Sequence, residues 1–111
     1  MQAIPFGLIR VPTPGVPVQI WTDATLNVVM IMVRTVPGFT GKTYFGIAGM
    51  NKSGSNMQGV IRVLSEPCFG PQDGEILPPA GRGQGNVLRA SDYWVDADIA
   101  NEGVIVTCFL A

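Results

Sequence analysis

Histidine is absent from the 111 residues. Its absence removes the usual general base near neutral pH, the commonest metal ligand and every Ser-His or Cys-His nucleophile pair. Cysteine occurs only twice, as Cys68 and Cys108, and neither has the C-x-x-C neighbour that redox or zinc chemistry uses. The first residues lack a basic leader, and Pro5 and Arg10 interrupt their apolar stretch, so no secretory signal is read there. Two free thiols in a reducing cytoplasm are therefore expected, with a Cys68–Cys108 pair as the alternative. No apolar run approaches the ~20 residues of a membrane-spanning helix; the longest is VVMIMV at 28–33. Charge is scarce too, at 14% of residues against roughly 25% in soluble domains. Seven basic residues, scattered from Arg10 to Arg89 in a chain of net charge -1, make no stripe to neutralise phosphates. Neither a nucleic-acid nor a membrane partner is expected.

What the chain has in excess is apolar surface. Apolar residues are 47% before the 14 glycines are counted, whereas about 45–50% with glycine included is ordinary. A small domain cannot hide so much by itself, which points to burial against neighbouring chains. One domain over 1–111 is expected.

Nine prolines and fourteen glycines punctuate short runs rich in Val, Ile, Phe and Tyr, and no helical period persists over a dozen residues. The pattern predicts an all-β chain, an antiparallel β-sandwich or jelly-roll-like barrel. Strands are expected near 6–11, 16–21, 27–35, 42–48, 59–65, 86–90, 92–99 and 103–110. NVVMIMVRT at 27–35 does not alternate, so it is read as a central strand covered on both faces. Pro37, Gly38 and Gly41 are read as the turn of a hairpin joining it to the next strand. Residues 1–18, with Pro5, Pro12, Pro14 and Pro17, are expected to form an extended arm outside the sandwich, on a PPII-like or edge path that lies across a neighbour. The stretch 65–83 is long for a loop and is read as a second docking arm.

The last residues crowd Asp92, Asp96, Asp98 and Glu102 together. If Ala100–Gly103 form a hairpin turn, residue 99 faces 104, and one side collects Tyr93, Val95, Ala97, Ile99, Val104, Val106, Cys108 and Leu110. The other side receives Asp92, Trp94, Asp96 and Asp98, with Trp94 opposite Phe109. The carboxylates are then a wet strand face. An EF-hand reading fails, because the fifth and sixth positions from Asp96 are Ala100 and Asn101. Adventitious cation binding and acid–base catalysis remain as alternatives, the second needing pKa values driven apart in a pocket. GRGQG at 81–85 lacks the G-K-[ST] ending of a phosphate loop and is read as a hinge. Trp21, Tyr44, Trp94 and Phe109 are read as a subunit contact, or alternatively as a glycan platform. No enzyme, cofactor or metal is expected.

Two segments carry a resemblance. Thr40, Gly41, Tyr44 and Gly46 give T-G-x-x-Y-x-G, and Trp94, Asp96, Asp98, Glu102, Gly103 and Val104 give an aromatic-x-D-x-D-x-x-x-E-G-V pattern. Both are similar to small phage virion proteins of the capsid decoration, or cement, type. The resemblance implies a β-rich, often oligomeric protein that binds the outside of an assembled shell and reinforces it without chemistry. On that basis the major capsid protein is the expected partner, the virion surface the expected location after synthesis in the host cytoplasm, and a homotrimer the expected state. Ile4, Pro5, Phe6 and Leu8 of the arm and Phe69, Ile76 and Leu77 of the loop are the candidate shell contacts. Met30, Met32, Trp94 and Phe109 are the candidate self-association face. A glycan- or receptor-binding module of a virion tail or fibre is the alternative.

Overall fold

Alternation of apolar and polar side chains at period two sets the architecture. The computed structural model describes residues 2–23, 25–28, 30–53, 56–64 and 88–110. Among these residues nine strands follow in order: β1 (Gln2–Val11), β2 (Val18–Gln19), β3 (Asn27–Val28), β4 (Met30–Thr35), β5 (Thr43–Ile47), β6 (Val60–Leu64), β7 (Leu88–Arg89), β8 (Tyr93–Ala97) and β9 (Glu102–Leu110). A 3-10 turn, Ala90–Asp92, leads into β8. The first sheet has the order β1-β9-β4, the second β2-β8-β5-β6, and β3 pairs with β7 alone. All of these pairings are antiparallel, and the two larger sheets pack face to face as a β-sandwich.

The core lies between them. Ile31 and Val33 of β4 and Val104, Val106 and Cys108 of β9 point inward from the first sheet, against Phe45, Tyr93, Val95 and Ala97 of the second. Phe45 and Tyr93 stack at 5.4 Å between ring centres, 11° from parallel, a geometry that adds to the area they bury.

Two sequence-based pairings and the place of one strand are corrected. Strand β8 does not form a hairpin with β9: β8 joins β2 and β5, and β9 joins β1 and β4. Within the strands the inward set is nevertheless the one alternation gives, since both arrangements place odd residues of β8 and even residues of β9 toward the core; Ile99, expected inward, lies past the end of β8 in the crossing and is exposed. Strand β4 likewise does not pair with β5. The connections 36–42 and 98–101 each cross from one sheet to the other, and Asp98 N–H donates to Lys42 O at 3.0 Å to tie the crossings together. Among the described residues β4 is a sheet edge, not a central strand; Met30 and Met32 are half-buried while Ile31 and Val33 are fully buried.

The proposed arm is also corrected over Gln2–Val11, which is the other edge strand of the first sheet. Its proline is tolerated because an edge strand has one side free of ladder bonds. The register slips between Pro5 and Gly7, and Gly7 sits at φ 77°, the left-handed conformation that such a bulge takes readily only with glycine. The loop 65–83 with Phe69, Ile76 and Leu77, the GRGQG stretch and Cys68 lie outside the described residues.

Candidate functional site

The carboxylates fasten the fold. Asp96 is buried, correcting the wet-face reading: its Oδ1 accepts from Gly15 N–H at 3.0 Å and from Ala97 N–H at 2.7 Å. Glu102 accepts from Gly41 N–H at 2.9 Å and Thr40 N–H at 3.2 Å, holding the 36–42 crossing against the start of β9. Asp98 takes an ion pair from Lys52 Nζ at 2.8 Å and the Tyr44 hydroxyl at 3.1 Å. The Lys52 ammonium also lies over the Tyr44 ring, 5.4 Å from its centre.

Protonation follows from these contacts. The hydrogen bond from Lys52, and then that from Tyr44, holds the Asp98 carboxyl below its ordinary range. The same bond to Asp98 raises Lys52, while burial and then the Asp98 contact raise the Tyr44 phenol. All three are thus driven further into their usual neutral-pH states, the reverse of what a general acid and base pair needs. Among the described residues no group of three or more Cys, Asp or Glu gathers as a metal site. Nothing in the sequence announced Lys52 and Tyr44 as partners of Asp98, because they lie 46 and 54 positions away.

The aromatic platform does not assemble. Trp94 stands on the outer side of the second sheet beside Gly46 and Gln19, whereas Phe109 belongs to the first sheet between Ala3 and Met30. Trp21 stacks instead on Phe6, with ring centres 4.4 Å apart and planes 16° from parallel. Cys108 is free and fully buried, and burial pushes its thiol up to about 12, away from reactivity.

Five expected contact residues do converge, on the outer face of the β1-β9-β4 sheet. Cross-strand register lays them out in rows: Ala3, Phe109 and Met30, then Pro5, Thr107 and Met32, then Leu8, Ile105 and Arg34. Pro5 and Leu8 came from the supposed arm and Met30, Met32 and Phe109 from the supposed self-association strand, and the sheet merges the two sets. Leu8 is exposed, and the methionines, Ile105 and Phe109 are half-exposed. Ile4 and Phe6 are half-buried; Ile4 pairs with the inward-facing Cys108, and Phe6 packs against the core. The sequence signal missed for this face was alternation within 30–35, hidden because methionine stands where a polar residue would mark the outer side.

No protein-family model, curated protein or solved structure matches the chain.

Proposed function

We propose that this protein decorates the outer surface of an assembled phage shell, docking on the major capsid protein through the β1-β9-β4 face and reinforcing the shell without covalent chemistry. The observation that carries the reading is that apolar face, together with ionisable groups locked in structural contacts. The virion context rests on the resemblance of the Thr40–Gly46 and Trp94–Val104 segments to decoration proteins.

The size of the face decides how it can act. Three strands ~4.8 Å apart and about 25 Å long offer roughly 350 Å². If about 200 Å² of apolar area is covered, the gross gain is ~5 kcal/mol, comparable to the low end of the ~4–15 kcal/mol lost on association. One such contact is weak. Linked copies, as in the proposed homotrimer, would hold by engaging several lattice sites at once. Binding the lattice but not free subunits then stabilises the shell by mass action.

Co-sedimentation with purified, expanded shells lacking a decoration layer tests the reading. Saturable binding to shells, none to unassembled subunits, and a raised shell disruption temperature are expected. Absence of binding to shells overturns it.

A further inference from the structure

The outward side chains of β1, β9 and β4 are not evenly apolar. One end of the face holds Ala3, Phe109 and Met30, and the other ends in Arg34 beside Ile105 and in Arg10 opposite Gly103. Both arginines are exposed. Arg10 is partly committed, donating through Nη1 to Asn101 O at 2.7 Å and lying 5.9 Å from the Phe39 ring centre. Arg34 has no ion pair among the described residues. No carboxylate points outward from the described part of this face.

We infer that the surface covering this face is a patch of another protein, apolar over Met30, Met32 and Phe109 and carrying a carboxylate opposite Arg34. The inference rests on the decoration reading and specifies the chemistry of its partner. Charge complementarity excludes the simplest alternative, a second copy laid face to face. Such a pair supplies no carboxylate from the described residues of the face to either Arg34, and at roughly 350 Å² per copy, about 700 Å² in all, it falls short of the ~1,200 Å² of a stable interface. Self-association therefore belongs to other surfaces, and Met30, Met32 and Phe109 move from the self-contact set to the partner set. An anionic bilayer fits less well. Two basic residues fall short of the roughly four to eight that make a lipid-binding cluster.

Arg34 at the rim governs encounter more than residence, because rim charges act mainly on association rate and its salt dependence. The test uses purified expanded shells immobilised on a biosensor. Wild type is expected to associate several-fold more slowly when NaCl rises from about 0.05 to about 0.5 M, and Arg34→Gln to lose most of that dependence. Met32→Lys is expected to weaken binding by about tenfold or more, as a charge buried without a partner. Ile61→Lys, on the other sheet, should bind like wild type, and thermal melts check that every variant is folded. Folded Met32→Lys and Arg34→Gln chains that bind and respond to salt as wild type does overturn the inference and leave the decoration reading standing. A wild-type chain that ignores shells removes both, and sedimentation to a dimer that Met32→Lys dissolves, or pelleting with phosphatidylglycerol vesicles, overturns the inference in favour of those partners.

Discussion

Asp96 Oδ1 accepts a hydrogen bond from the backbone N–H of Gly15 at 3.0 Å, across 81 positions of sequence. The bond anchors the turn after β1, where Val16 N–H donates to Thr13 O, over the second sheet. Removing the acceptor breaks this part-buried bond and takes away the partner of the buried Ala97 N–H as well, which costs ~1–3 kcal/mol. Asp96→Ala should lose stability in that range in urea unfolding, and the Gly15 amide should exchange faster. Asp96→Asn, which keeps an acceptor oxygen, should lose less. Equal stability of Asp96→Ala and wild type contradicts the assigned role.

Gly103 lies against the backbone of β1. A Cβ there would collide with Ile9 O and reach 3.0 Å from Arg10 Cα, so the edge strand must shift. Overpacking of this kind costs ~1–3 kcal/mol, and here it falls on the β1–β9 ladder. Gly103→Ala is expected to lower the midpoint of unfolding and to speed amide exchange along Gln2–Val11 more than in β5. A thermally unchanged Gly103→Ala shows that the close approach is wrong.

Stability should depend on pH through Asp98, Lys52 and Tyr44. Asp98 is lowered in the folded state, so its contribution is present above the ordinary carboxylate range and disappears as pH falls through the lowered value. Lys52 and Tyr44 are raised, so theirs are present below their ordinary values and disappear as pH rises through the raised ones. The pair is partly exposed, with side-chain accessibilities of 17% and 39%, and screening limits it to about 0.5 kcal/mol. Unfolding of wild type and Asp98→Asn at acid, neutral and alkaline pH should show a gap that is widest near neutrality. A gap independent of pH counts against the contact.

Cys108 should resist alkylation while the chain is folded. With the thiol pushed up to about 12, the thiolate fraction at pH 8 is on the order of 10⁻⁴, and full burial blocks access. Iodoacetamide followed by peptide mapping is expected to find Cys108 unmodified in buffer and labelled in denaturant. Rapid native labelling at this position is the contrary result.

Side-chain parity was legible from sequence, and neighbours were not. Tyr93, Val95, Ala97, Val104, Val106 and Cys108 sort to the core because period-two alternation reports which side of a strand faces inward. It says nothing about which strand lies alongside, so a hairpin and a crossing between sheets give the same sorting. The crossing at 98–101 is settled by long-range bonds instead, with Asn101 N–H donating to Val11 O at 2.8 Å. Pro5 left both an edge strand and a free extended path open for Gln2–Val11, and the two-sided reading of 27–35 came from methionines that are apolar yet face outward. The docking face was therefore present in the sequence as two unrelated fragments, joined only by the β1-β9-β4 order.

The most direct measurement is a cryo-EM map of shells saturated with the protein. The expected result is the β1-β9-β4 sheet turned toward the shell, with Met32 and Phe109 covered and a capsid carboxylate opposite Arg34. A map in which the chain is bound while that face looks out to solvent contradicts the proposal.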